Sequence, residues 1–540
     1  MLGRRDPAIL TGENRSVPVC PEGSNLVMAW VDFARAPASE LLRDHGCFRL
    51  IPRSVILDPV GPRWGGSTLT RLLVILALLV VGPPRAIAVD PPETAPRTNV
   101  VVILADDLGY GDLGCYGHLR YKTPNLDRMA REGSRLTQFN SPAPFCAPSR
   151  AALMTGRYPF RCGLTTNPAP DGGPAADAAG LPLDEVTLAQ VLRGAGYATG
   201  MVGKWHLGHK RREQLPTHRG FDEYLGIPYS NDMRPVHLLD GETVVEYPVV
   251  QATLTRRYTE RALRFIERNR DRPFFLYFAQ AMTHKPLACS EEFYKKSGAG
   301  LYGDALAELD WSVGQVLARI RDLGLDERTL VVFASDNGPW YGGSSGGLRG
   351  MKSTTWEGGF RVPCIVRWPG RLPAGAVRRE LAVTMDLFAT ALAAAGVSLP
   401  SDRVIDGKDL LPLLSNKVNE VHDVVFGQMG PRPSTARDLR WKLHVLPARD
   451  HRRFAPGERW VDPRGPDGVT ILAPFEQAHP SEYPGLRAVD QTGAMSLFDL
   501  ENDPGELRDV AAENREVVAR LKARYDQIAG ELPAPAKPAK

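Results

Sequence analysis

The chain has 540 residues, 43% of them apolar and 24% charged, with 66 basic against 62 acidic side chains and a formal net charge of +4. These proportions exclude collagen-like, coiled-coil and largely disordered classes, and so small a net charge gives no electrostatic footprint for nucleic acid. The length exceeds the roughly 250–300 residues at which one hydrophobic core stops growing, so more than one domain is expected.

Residues 72–81, LLVILALLVV, form an apolar run between Arg71 and the breaker Gly82-Pro83-Pro84, and Ala86-Ile87-Ala88 comes next. A basic flank, a short apolar core and an A-x-A site predict a signal peptide cut after Ala88, with residues 1–88 as leader. The run is too short to cross a hydrocarbon layer of ~30 Å as a helix, so no stable membrane span is expected. A signal peptide belongs at the start of a chain, so translation is expected to begin downstream of Met1. The protein is then exported, periplasmic or secreted, and its single N-x-S/T sequon at Asn14 falls in the leader, which favours a bacterial source. Seven cysteines do not make a disulfide scaffold, and any pairing among Cys115, Cys162, Cys289 and Cys364 stays open.

In the mature part, Asn99–Leu104 is a continuous apolar run of the kind buried on both faces of a parallel sheet. Thr123-Pro124 opens a helix to about Glu132, with Thr123 as N-cap, Pro124 at the first helical position and Gly133 as stop. Buried runs recur at Tyr197–Val202, Phe274–Ala279 and Leu330–Ala334. Helical stretches at Leu188–Ala195, Thr255–Asn269 and Gly303–Leu323 lie between them. This alternation predicts an α/β fold with a large, mostly parallel sheet flanked by helices, over 89–400. Met385-Asp386 starts another helix ahead of an Ala-rich face. Beyond 400 the strands are short (Val424–Gln428, Trp441–Val445, Met495–Asp499) and a helix runs from Glu513 to about Leu532. A smaller α+β domain is expected over 401–532, with a disordered tail at 533–540.

The residues just beyond each buried strand carry chemistry. Asp106-Asp107 come after the first, Lys204 and His206 in GKWHLG after the second, His284 after the third, and Asp336-Asn337 after the fourth. Ligands of open α/β sheets bind at the carboxyl ends of the strands, so these groups converge on one edge. Alone, an Asp pair is ordinary loop capping, a lysine is a surface charge and a histidine a bland polar group. Asp106, Asp107, Asp336 and Asn337 together offer hard oxygen ligands that suit Ca²⁺ or Mg²⁺ rather than zinc. In Cys146-Ala-Pro-Ser-Arg150-Ala-Ala-Leu-Met-Thr-Gly-Arg157, Pro148 and Ser149 suit a helix start. Cys146 then sits at a helix N-terminus, which favours an anion, and Arg150 one turn on adds a charge fork.

C-x-P-S-R followed by T-G-R resembles the signature of the type I, formylglycine-dependent sulfatases. The resemblance runs through most of 98–370 and includes GKWHLG, GIPYS at 226–230, SDNGP at 335–339 and GLRGMKSTTWEGGFRVP at 347–363, all similar to the arylsulfatase A-like branch. The stretch Leu497-Phe-Asp-Leu-Glu-Asn-Asp-Pro504 resembles a sulfatase tail. The resemblance implies the alkaline phosphatase-like fold and hydrolysis of aryl or carbohydrate sulfate esters to alcohol and sulfate. It implies conversion of Cys146 to 3-oxoalanine (formylglycine) by a formylglycine-generating or anaerobic maturating enzyme, and one calcium ion held by Asp106, Asp107, Asp336, Asn337 and the modified Cys146. By the same resemblance the hydrated aldehyde is the nucleophile with Asp336 as base. His284 and Lys352 protonate the leaving group, His206 takes the proton of the second hydroxyl, and Arg150 and Lys204 hold the charge. Lys204, Ser230, His284 and Lys352 contact substrate. Lys285, next to His284, leads us to expect a preference for anionic, multiply sulfated substrates. A phosphoester or phosphonate-ester hydrolase on the same scaffold and a non-catalytic sulfated-glycan-binding protein are the alternatives.

Overall fold

The computed structural model describes residues 97–233, 236–449 and 492–532. The leader with its apolar run, the tail at 533–540 and much of the 430–490 region lie outside the described residues. A ten-stranded sheet organises the rest. In spatial order its strands are Ala376–Arg378, Ser134–Leu136, Cys364–Arg367, Thr329–Ser335, Asn99–Ala105, Phe274–Ala279, Ala198–Gly203, Glu223–Gly226, Leu238–Asp240 and Thr243–Glu246. From Thr329–Ser335 to Glu223–Gly226 neighbouring strands run parallel. Antiparallel pairs flank this centre on both sides.

The four central strands that were legible as apolar runs are buried along their whole length. Their alternate residues feed two cores, as a two-residue side-chain period requires. Val101, Ile103, Phe278, Val331 and Phe333 pack on one side with helices Leu254–Arg268 and Gly300–Asp322. Val100, Val102, Leu104, Tyr277 and Val332 pack on the other with helices Cys146–Thr155, Leu188–Gly194 and Asp386–Ala395. Each expected central element is present, with ends shifted by at most three residues. A separate four-stranded antiparallel sheet, Val425–Gln428, Pro433–Arg437, Trp441–His444 and Ser496–Asp499, is covered by helix Arg515–Gly530. Leu443, Leu497, Leu521 and Tyr525 share its core with Ala152, Tyr158 and Phe160, which seats this unit on the Cys146–Thr155 helix. Among the described residues no helix is long and apolar enough to cross a membrane. Cys115, Cys162 and Cys364 are free thiols.

One local expectation is corrected. Helix Pro124–Glu132 is not capped by Thr123, whose hydroxyl instead donates to Asp127 Oδ1 and accepts the Gly114 N–H. The cap comes from Asp310, far along the chain, whose carboxylate accepts the N–H groups of Asn125 and Leu126 at 3.1 and 2.8 Å. Asp310 is 2% exposed, and burial pushes it up to about 6. Truncating it strands two N–H groups against the long helix that carries it. Asp310→Ala is expected to lower stability by about 1–2 kcal/mol, read as a lower urea midpoint with an unchanged slope. An unchanged midpoint would show that water replaces the carboxylate without cost.

Candidate active site

Register brings the strand ends together. Leu104 pairs with Ala279 on one side, and Ala105 pairs with Ser335 on the other. Asp106 and Asp107 therefore leave the sheet beside Asp336 and Asn337. The strand Ala198–Gly203 pairs Gly203 with Ala279, and Lys204 N–H donates to the Ala279 carbonyl at 2.8 Å. Gly203 is obligatory there: its φ is +117°, and a Cβ would stand 1.7 Å from the Ala279 oxygen. Asp107 and His206 themselves hold left-handed φ values of 59° and 60°. Such conformations cost free energy for residues with side chains and cluster where geometry is imposed by the surroundings.

Cys146 begins helix Cys146–Thr155 and is 1% exposed. Its Sγ lies 3.5 Å from Asp106 Oδ1 and 4.0 Å from Asp107 Oδ1. Burial pushes the thiol up, against the pull of Lys204 and Lys352. An unmodified Cys146 is thus a neutral thiol, the opposite of an activated thiolate nucleophile.

Three cations thread three carboxylates. Lys204 Nζ donates to Asp106 Oδ2 at 2.5 Å and to Ser230 Oγ at 3.1 Å. Lys352 Nζ donates to Asp107 Oδ2 at 2.8 Å. Arg150 Nε reaches Asp336 Oδ2 at 2.9 Å, its second terminal nitrogen lies 3.5 Å from Asp106 Oδ1, and its first donates to the Lys204 carbonyl. Burial works against the charge of Asp106, yet Lys204, His284 and Arg150 hold it well below the usual carboxylate range. Burial and the neighbouring Asp106 charge push Asp336 up to about 7, with Arg150 opposing.

Two histidines complete the ring. His284 Nε2 lies 3.4 Å from Ser230 Oγ and 3.5 Å from Asp107 Oδ2. Burial and the Lys352 charge lower its imidazole to about 4, so it is neutral near pH 7. Its Nδ1 contacts the Lys285 carbonyl at 2.5 Å; a carbonyl only accepts, so the proton sits on Nδ1 and Nε2 is bare. His206 follows the same logic. Its Nε2 donates to the Pro168 carbonyl at 3.0 Å, its Nδ1 is buried without a partner, and burial with the Lys204 and Arg150 charges holds it well below the usual range.

The donor set suits a hard cation. Ligand atoms of Asp106, Asp107, Cys146 and His284 all lie within 4.8 Å of one another. Asn337 supplies the sharper observation. Its amide nitrogen donates to Asp107 Oδ1 at 2.8 Å, whereas its Oδ1 is buried with no hydrogen-bond partner. A buried carbonyl oxygen without a donor is costly unless a cation takes its lone pair. Asp336 Oδ1 accepts the Asp107 N–H at 3.1 Å, tying the two acidic strand ends together.

The sequence-derived residues Asp106, Asp107, Cys146, Arg150, Lys204, His206, Ser230, His284, Asp336, Asn337 and Lys352 thus surround one buried centre, none more than 8% exposed. Lys285 departs from expectation: its Nζ pairs with Asp232 at 3.3 Å and lies 5.6 Å over the Trp340 ring, so its charge is offset at the rim. Asp232 escaped sequence reasoning because one acid in a loop carries no pattern. So did Gln251, which exchanges amide hydrogen bonds with Asn231 beneath the His284 carbonyl. His118, His209 and His218 keep local roles, with His209 on Asp177 and His218 on Glu242.

Comparison with known proteins agrees with this geometry. A family model described as Sulfatase matches residues 98–397. The chain is 45% identical over 465 residues to N-acetylgalactosamine-6-sulfatase of Canis lupus familiaris, covering 81% of this chain and 84% of that protein. It is 46% identical over 464 residues to arylsulfatase A of Homo sapiens, covering 78% and 86%. A 6S-sulfatase structure from the glycosaminoglycan metabolism of Bacteroides thetaiotaomicron superposes with a TM-score of 0.66 at 26% identity, covering 81% of this chain and all of that one. The family model over 98–397 and these relatives show that the chain, with its alkaline phosphatase-like scaffold, belongs to the sulfatase family, whose named members are sulfuric ester hydrolases.

Proposed function

We propose that the protein hydrolyses aryl or carbohydrate sulfate esters with formylglycine at position 146 and one calcium ion, as an exported enzyme. The observation that carries the reading is the sealed thiol of Cys146, protonated at a helix N-terminus among three cations. As a cysteine it is inert; as a carbonyl carbon in the same place it would be set among proton acceptors and positive charge. Formylglycine, once formed, supplies a hydrated aldehyde as nucleophile, and calcium, when bound by Asp106, Asp107, Asp336 and the Asn337 Oδ1, supplies charge neutralisation.

The chain's own residues divide the remaining work. Asp106, Asp107 and Asp336 balance Arg150, Lys204 and Lys352, so with a divalent ion held there the centre would be net positive, which suits a sulfate monoanion. Arg150 and Lys204 are held rigidly by Asp336 and Asp106 and cannot swing away as the anion arrives. Ser230, fixed by Lys204, presents its hydroxyl to a sulfate oxygen. His284 keeps its ring oriented through Nδ1 in both protonation states, so Nε2 is the atom at which a proton is taken up and passed to the leaving oxygen, with Lys352 beside it. Asp336, whose oxygens meet Arg150 and the Asp107 N–H, is assigned the role of base toward the position-146 side chain. The bare Nδ1 of His206 is a second acceptor in the same centre. At the rim, the Asp232–Lys285 pair removes the net charge expected to draw multiply sulfated substrates, so discrimination by charge should be weak.

Correctly matured protein is expected to turn over 4-nitrophenyl sulfate with a higher kcat/KM than 4-nitrophenyl phosphate; the reverse order would move the protein to phosphoester chemistry. Mass spectrometry should find the peptide carrying residue 146 about 18 Da lighter than its cysteine form, and full activity with an intact thiol would overturn the formylglycine assignment. Lys204→Ala, which also frees Asp106, is expected to lower kcat/KM by about 10²–10³-fold; a loss below tenfold would remove it from the chemistry. Chelation should lower both the rate and the thermal midpoint, and added Ca²⁺ should restore both; indifference of both readouts would exclude a resident ion.

A further inference from the structure

The tail motif Leu497–Pro504 has no place in the chemistry above, yet Glu506, two residues beyond it, is fully buried. It grips both ends of the loop that carries Lys352. At one end, Arg349 Nη1 donates to the Glu506 backbone carbonyl at 2.8 Å. At the other, the Glu357 N–H donates to Glu506 Oε2 at 2.6 Å. The loop base is closed by Gly358 N–H on the Arg349 carbonyl at 2.6 Å. The Arg349 guanidinium lies 3.3 Å over the Trp356 ring, which also packs against His444 at 4.8 Å and Phe498 at 5.6 Å between ring centroids.

The carboxylate is itself locked. Lys442 Nζ and His444 Nε2 each reach Glu506 Oε1 at 3.0 Å from the strand Trp441–His444. Lys442 also meets Glu357 Oε1 at 3.3 Å, while Arg361 and Arg437 hold Glu357 Oε2 at 3.1 and 3.2 Å. Burial opposes a charge on Glu506, but Lys442 and His444 hold it below the usual carboxylate range. Inside the loop, Lys352 N–H donates to the Pro339 carbonyl and Ser353 N–H to the Pro144 carbonyl, two residues before Cys146. The tip is thereby registered against the site, and the base against the C-terminal sheet.

We propose that Glu506 is a positioning residue that acts through Lys352, setting the reach of its ammonium to Asp107 and the leaving group. A buried, fully paired carboxylate fixes one geometry because every alternative leaves a charge unpaired. Through Glu506 the C-terminal unit then contributes to turnover by way of the loop that carries Lys352. This rests on the sulfatase reading above and on the role given there to Lys352.

A double-mutant cycle tests it with 4-nitrophenyl sulfate, using Glu506→Gln, Lys352→Ala and the pair, each checked for full maturation and for its thermal midpoint. Glu506→Gln keeps the shape and an acceptor for the Glu357 N–H but removes the charge. It is expected to lower kcat about tenfold with little change in KM in the otherwise intact protein, and less than about twofold in the Lys352→Ala background. The thermal midpoint should fall equally in both backgrounds. The same loss of kcat in both would show a purely structural role and overturn the proposal, as would an unchanged kcat. Should Glu506→Gln not accumulate as folded protein, Arg349→Lys, which weakens the carbonyl anchor and the stacking on Trp356, takes its place with the same expectations. Absence of turnover by the unaltered, matured protein would instead sink the sulfatase reading.

Discussion

Three carboxylates, Asp106, Asp107 and Asp336, lie together fully buried, and that crowding is the constraint on which the rest of the structure depends. Like charges at such range repel strongly in a low dielectric. They are tolerated because Arg150, Lys204 and Lys352 each contact one or two of them. Each cation arrives from a different part of the chain: a helix start, a strand end and a distant loop. The fold can be read as the means of delivering those pairs, and Asn337 Oδ1, like His206 Nδ1, is an acceptor left without a donor from the polypeptide.

The sheet makes this possible by its register. Parallel central strands all end on one edge, so consecutive connections return to the same place with new side chains. Because the strands are buried on both faces, a slip of one residue would carry every side chain from one packed core into the other, and the register is strongly held. Precision at the site is therefore inherited from packing well below it, where Val100 to Leu104 and their neighbours leave no exposed surface.

The parts of this arrangement that were legible in sequence share a physical character. Continuous apolar runs announce doubly covered strands, and polar residues directly after them announce a site, so Asp106, Lys204, His284 and Asp336 could be found without coordinates. The Cys146 helix start was legible from Pro148 and Ser149, and the family resemblance supplied roles that composition could not. The flanking strands, such as Ser134–Leu136 and Ala376–Arg378, are too short to show a period. Long-range polar contacts were silent for a different reason. Asp310 capping a helix near residue 124, Asp232 neutralising Lys285, and Glu506 meeting Glu357 each join residues whose types are common and whose separation in the chain carries no rule. The tail motif Leu497–Pro504 was noticed, but Glu506 just beyond it, which holds the loop, was not.

Gly203 shows how narrowly the centre tolerates change outside it. With no room for a methyl group against the Ala279 oxygen, any replacement must wedge two adjacent strands apart at the point where one yields Lys204 and the other leads to His284. Inherited loss of function in such a protein need not strike an ionisable group at all. A single codon change at this hydrogen-sized gap would spoil the charge lattice from behind, and variants there should be classed with the reacting residues rather than with ordinary packing defects.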